Sequence, residues 1–130
     1  MSNELTEAIG RVAPITLMTY DQGGLRIDFD GYEVFLDGRK IHVYLREFEI
    51  LRFFIQHPNR VFTRAHILDA VWGSKSRGID PRTVDVHVRR LRTRIERDHA
   101  HPELIVTVRG VGYKFDARAL AARKTVASHS

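Results

Sequence analysis

No cysteine occurs anywhere in the chain. That excludes disulfide scaffolds, thiolate zinc sites, iron–sulfur clusters and cysteine nucleophiles. Long apolar runs are missing too: none approaches the roughly 18 residues of a membrane-spanning helix. Met1–Pro14 lacks the basic start and apolar stretch of a signal peptide, so a cytoplasmic protein is the default expectation. There is no internal repeat, no low-complexity tract, and no Gly-x-Ser-x-Gly, zincin or P-loop word. Gly110-Val111-Gly112 is not a phosphate-cradling loop, because no long helix follows it.

What is present is a basic, core-forming chain. Its 130 residues, 43% of them hydrophobic, suffice for one domain with a real core. Lys and Arg number 21 against 16 acidic residues, a formal charge of +5. That balance suits a polyanion, either nucleic acid or an acidic membrane surface.

Turn signals divide the first third. Gln22-Gly23-Gly24, Asp30-Gly31 and Asp37-Gly38 separate runs of β-formers at Ile15–Thr19, Leu25–Phe29, Glu33–Leu36 and Lys40–Tyr44. Asp-Gly between two such runs is a strong hairpin signal, so four short antiparallel strands are expected. A loose arm precedes them at 1–13. From Leu45 to His57 the apolar period becomes helical, with Phe48, Ile50, Leu51, Phe54 and Ile55 on one arc. Glu47 falls inside that arc and requires a cation, for which Arg64 and Arg92 are the candidates. His57-Pro58-Asn59 stops the helix, and Val61-Phe62 is a short extended piece. Thr63 is a good N-cap for a second helix, Arg64–Trp72, which ends at Gly73. A polar loop, Gly73–Asp80, leads to Pro81 and a third helix over Arg82–Arg97. Two short β runs, Ile105–Val108 and Tyr113–Phe115, form a terminal hairpin, and 117–130 reads as a frayed tail. The domain boundaries expected are thus 14–116.

The third helix carries the chemistry. At 100° per residue, Val84, Val88, Leu91 and Ile95 cluster in one core sector, while Arg82, Val86, Arg89, Arg90 and Thr93 face the other way. An arginine fork pairs with guanine edges or phosphate oxygens, and an outward valine can touch a thymine methyl. A solvated charged face with a stray valine is the bland alternative; the use of arginine rather than lysine throughout favours the functional one. In the hairpin, Arg109 begins a tight glycine turn, and an arginine on such a tip can enter a minor groove. A plain structural hairpin is again the alternative.

Several words occur together in order: Glu47-Phe48-x-Ile50-Leu51, Val61-Phe62-Thr63-Arg64, Val71-Trp72-Gly73, the run Arg82 to Arg92, and Thr107 to Tyr113. With four strands in front, this resembles the OmpR/PhoB-type effector domain of bacterial response regulators, from about Leu25 to Phe115. The resemblance implies an α+β winged helix-turn-helix fold with an N-terminal four-stranded antiparallel sheet, three helices and a C-terminal β-hairpin wing. It implies sequence-specific binding of double-stranded DNA in transcriptional regulation, with no cofactor. By the same resemblance, Pro81–Arg97 is the recognition helix in the major groove, with Arg82, Val86, Arg89, Arg90 and Arg92 near bases or phosphates. Trp72 and Thr107 are phosphate-side contacts, and Arg109, with Tyr113 beside it, is the wing residue of the minor groove. The 73–80 loop corresponds to the segment that touches RNA polymerase, and head-to-tail pairs on tandem half-sites are expected.

Two departures stand out. Relatives often open the first helix with Thr-Pro, where this chain has Tyr44-Leu45. The 130 residues also leave no room for a receiver domain, which fits either an excised effector domain or a stand-alone protein not switched by phosphorylation in cis; the starting methionine slightly favours the latter.

Three other classes compete. An enzyme or a metal site has little to stand on. His99 and His101 sit in a loop without a third ligand, and His87 lies at the flank of the core sector as a packing residue. A winged-helix module docking an acidic protein would use the same arginines. Only a steep salt dependence on duplex DNA separates it from a DNA reader. A membrane-surface role lacks the Trp/Phe/Leu-rich face of an interfacial helix.

Overall fold

The computed structural model describes residues 19–123. The expected arm at 1–13 and residues 15–18 of the first expected strand lie outside them. Four strands, β1 (Thr19–Gln22), β2 (Leu25–Asp28), β3 (Glu33–Leu36) and β4 (Arg39–Ile41), pair antiparallel in chain order. Gln22 faces Leu25 and Leu36 faces Arg39, which leaves the two-residue turns Gly23-Gly24 and Asp37-Gly38. All four of these residues have positive φ, the geometry that matches the right-handed twist of the flanking strands. Asp37 is the one non-glycine among them, and its amide donates to the Gly24 carbonyl at 2.8 Å. The middle turn is a longer loop, Phe29–Tyr32, in which Asp28 Oδ1 accepts from the Asp30 and Gly31 amides.

Two strand ends differ from expectation by three residues, and three other boundaries by one. The first strand runs up to Gln22 instead of ending at Thr19, because a two-residue turn pairs the residues that flank it whatever their polarity. The fourth ends at Ile41, because Tyr44 is drawn into the start of the next helix.

That helix, α1 (Leu45–Gln56), begins at an extended Tyr44. The Tyr44 amide donates to Glu47 Oε1 at 3.1 Å, and the Phe48 amide to the Tyr44 carbonyl at 2.9 Å. A reciprocal contact from Glu47 thus replaces the missing Thr-Pro start. Glu47 is fully buried, as expected, but its cation is neither Arg64 nor Arg92. Packing of α1 against the third helix delivers Arg94, whose Nε donates to Glu47 Oε1 at 2.8 Å. The Arg94 guanidinium also lies 5.4 Å from the centre of the Tyr44 ring.

After β5 (Val61–Phe62), α2 (Arg64–Trp72) is capped by Thr63, whose hydroxyl accepts from the His66 amide at 3.0 Å. A 3₁₀ turn, Gly73–Ser76, occupies the expected polar loop. There Ser76 Oγ donates to Asp69 at 2.8 Å, and Ile79 packs against the core. The third helix, α3 (Arg82–Ile95), buries Val84, Val88, Leu91 and Ile95 completely. It ends two residues before the expected Arg97. Glu96 turns inward there, and its buried carboxylate accepts from the amides of Glu103, Leu104 and Ile105 at 2.8–3.1 Å.

The hairpin β6 (Ile105–Val108) and β7 (Gly112–Phe115) takes β5 as a third strand, in the order β5-β7-β6. Phe62 pairs with Tyr113, and Gly112 makes that approach possible, since a Cβ there would strike the Phe62 carbonyl. This is the winged helix-turn-helix arrangement behind a four-stranded sheet.

The expected frayed tail is corrected at its start. Residues Ala117–Ala121 form a helix, α4, capped by Asp116, whose carboxylate accepts from the Arg118 and Ala119 amides at 3.0 Å. Its Leu120 is fully buried and rests against Gly23 of the first hairpin. Residues 124–130 lie outside the described residues. No helix among the described residues is long and apolar enough to cross a membrane.

Candidate nucleic-acid interface

The outward face of α3 is laid out as its periodicity requires. Arg82, Val86, Arg89, Arg90 and Thr93 are all exposed, opposite the buried valines and Leu91. Their states differ. Asp80 holds the first turn: Oδ1 accepts from the Arg82 amide at 2.9 Å, and Oδ2 accepts from the Arg82 guanidinium at 2.8 and 3.1 Å. Those bonds hold the Asp80 carboxyl below the usual carboxylate range. The guanidinium groups of Arg89 and Arg90 have no hydrogen-bonding or ionic partner among the described residues; the Arg90 carbonyl accepts from the Thr93 hydroxyl at 2.6 Å. Between them and the first turn stands Val86, 38% exposed, an apolar spot flanked by cations.

Arg92, one turn beyond, does not join this set. Its Nε and Nη2 donate to the Ile105 carbonyl at 3.0 and 2.8 Å, and Nη2 also to Thr107 Oγ1 at 2.8 Å. The guanidinium lies 5.5 Å from the Tyr113 ring centre, and burial pushes its pKa down. Tyr113 is corrected as well. It does not stand beside Arg109 at the tip but is 7% exposed, and its hydroxyl donates to Asp85 Oδ1 at 2.6 Å. Burial, then that bond to a carboxylate, raises its pKa. Thr107 remains exposed on β6.

Arg109 is exposed at the hairpin tip without a described partner. The turn closes with the Val111 amide donating to the Val108 carbonyl at 2.9 Å, and Gly110 sits at φ +80°, where an L side chain is strained. Val111 is exposed beside it. A cleft of about 350 Å³ separates this hairpin from the start of α2, with Thr63, Arg64, Thr107 and Gly110 among its walls. Trp72, half-buried, has the Arg46 guanidinium 5.1 Å from its ring centre and the His87 ring centre 5.3 Å away, nearly perpendicular to it.

The pairing of Arg64 with Asp85 escaped the reading of the sequence, which had offered Arg64 to Glu47. Arg64 Nε donates to Asp85 Oδ1 at 2.9 Å, the same oxygen that takes the Tyr113 hydroxyl. An acid flanking the core sector of an otherwise cationic helix was the available signal. His87 packs as expected, its Nδ1 donating to the Thr83 carbonyl at 2.9 Å. His101 pairs only with exposed Asp98, and no metal-holding group of three His, Cys, Asp or Glu occurs among the described residues.

Comparison with known proteins agrees with this geometry. Residues 38–115 match the family described as "Transcriptional regulatory protein, C terminal". The sensory transduction protein RegX3 of Mycolicibacterium smegmatis is 43% identical over 96 residues, 74% of this chain and 42% of RegX3. The chain therefore spans less than half the length of that relative. Among solved structures, the Thermotoga maritima response regulator DrrB, an OmpR/PhoB homologue, is similar with a TM-score of 0.74 at 37% identity, over 87% of this chain and 52% of that one. The RstA DNA-binding domain of Klebsiella pneumoniae, solved in complex with the RstA box, gives a TM-score of 0.67 at 32% identity, over 75% and 96%.

Proposed function

Since the chain belongs to the family of C-terminal domains of transcriptional regulatory proteins, with the OmpR/PhoB-type winged helix fold, we propose that it binds double-stranded DNA sequence-specifically, α3 reading the major groove and Arg109 the minor groove. This family and fold are those of regulatory DNA-binding domains, not of enzymes. The observation that carries the reading is the partnerless pair Arg89 and Arg90 beside exposed Val86, on a helix whose opposite face is fully buried.

The roles then divide by chemistry. Phosphate contacts from Thr107, Arg89 and the exposed edge of Trp72 fix the register on the duplex. Arg90 pairs with a base edge, and Val86 meets a thymine methyl. Arg82 joins once Asp80 yields it to a phosphate. Arg109 adds groove shape, where negative potential concentrates. The RstA domain, 32% identical, has been solved on its own DNA box, which supports the same partner here. Head-to-tail pairing on tandem half-sites and a polymerase contact through 73–80 belong to this proposal, as does a cytoplasmic setting. The turn at Gly73–Ser76 gives that segment a fixed shape to present.

The test is selection of genomic DNA fragments by the purified protein, followed by sequencing. A shared motif, above all two half-sites in tandem, is the expected result. Fragments with no common motif would leave a basic fold that holds DNA without reading it, and would favour an acidic protein partner. The salt slope gives a second check: affinity falls by about 0.9 log units per log unit of salt for each phosphate neutralised.

A further inference from the structure

Asp85 and Arg92 lie two turns apart on one flank of α3, about 10 Å along its axis, and each holds a different strand of the hairpin. Arg92 grips β6 through the Ile105 carbonyl and Thr107 Oγ1. Asp85 grips β7 through the Tyr113 hydroxyl, and the same carboxylate oxygen takes Arg64 from α2. The Arg92 guanidinium over the Tyr113 ring joins the two grips. A single contact would leave a pivot between helix and hairpin; two contacts on separate strands remove it.

We propose that Arg64, Asp85, Arg92 and Tyr113 form a two-point clamp that fixes the distance and angle between the Val86/Arg90 face of α3 and Arg109 at the hairpin tip. They are positioning residues, and they determine which spacing of helix-read and wing-read base pairs the protein accepts. This rests on the DNA-binding reading above. It also assigns Thr107 a defined donor role. Because Thr107 Oγ1 accepts from Arg92, its own proton is turned away and is free to meet a phosphate oxygen.

The experiment uses the whole chain and a duplex recovered by the selection. Loss of protection in Arg90→Ala and Arg109→Ala locates the helix-read and wing-read bases. One base pair is then inserted between them. The wild type is expected to lose about tenfold in affinity on the lengthened duplex, the scale of a mismatched base pair. Tyr113→Phe removes one oxygen and keeps the ring; Arg92→Lys keeps the charge and loses the fork. Each is expected to start slightly weaker and to lose only about threefold or less on the lengthened duplex. Circular dichroism first establishes that each variant is folded; if Arg92→Lys is not, Tyr113→Phe decides. Folded variants that keep the wild-type ratio between the two duplexes would overturn the clamp as a spacing device and leave it a stabilising contact. If neither Arg90→Ala nor Arg109→Ala weakens the wild type, the DNA-binding reading itself fails, and the clamp proposal with it.

Discussion

The Arg89 and Arg90 side chains stand in solvent without partners among the described residues, whereas Arg92 and Arg94, a few residues further along the same helix, are held by three and two neighbours. The residue type is constant; the surroundings change. Up to Arg90 the outward side of α3 faces no other element. Beyond Leu91 the helix runs between β6, which offers the Ile105 carbonyl, and the first turn of α1, which offers the buried carboxylate of Glu47. A cation in reach of a buried acceptor becomes structural. The same cation one turn earlier stays available to a ligand. The number of arginines in a helix therefore overstates the number that read anything.

This contrast can be broken experimentally. The largest effect is expected at Arg94. Arg94→Ala leaves Glu47 buried without its cation, and should cost about 3 kcal/mol in urea unfolding, since Arg94 itself is 27% exposed and Glu47 not at all. Adding Glu47→Gln should restore part of the loss. A cost below about 0.5 kcal/mol would reduce the pair to a surface bridge. Next comes Arg90→Ala, which should weaken DNA binding by about 1–3 kcal/mol and relax sequence preference, with stability unchanged within about 0.5 kcal/mol. Unchanged affinity and preference would remove Arg90 from the interface.

Arg92→Ala should show the opposite signature. Unfolding should become easier by about 1–2 kcal/mol, from bonds to a half-exposed charged donor, while the salt slope of binding stays put. A slope reduced by about 0.9 would make Arg92 a phosphate contact after all. The mildest effect is expected at Arg109. Arg109→Ala should weaken binding with less change in preference than Arg90→Ala, and no loss at all would take the hairpin out of the DNA interface.

The legible parts of the sequence were those set by local rules. The buried and outward faces of α3 followed from a 100° step, and the hairpins from Gly-Gly and Asp-Gly. What escaped was set by contacts across the fold. Arg94 meets Glu47 only because α1 and α3 cross there. The third wing strand depends on a glycine that admits the Phe62 backbone. Tyr113 is an intermediate case. It and Phe115 share one face of β7, so strand alternation places both inside, yet its likeness to a tip residue drew it outward. Helix α4 is too short for a periodic signal, and only Asp116 in front of it announced a start.

The seat of Leu120 against Gly23 has a kinetic consequence. It joins the first hairpin of the described chain to its last helix, a contact between residues almost a whole domain apart in sequence. Closing so long a loop carries its full entropic cost before the contact returns anything. The local helices and hairpins can therefore form while that seat is empty. During synthesis the seat beside Gly23 stays empty until α4 has left the ribosome, and a chain cut after Phe115 would lack Leu120 to fill it.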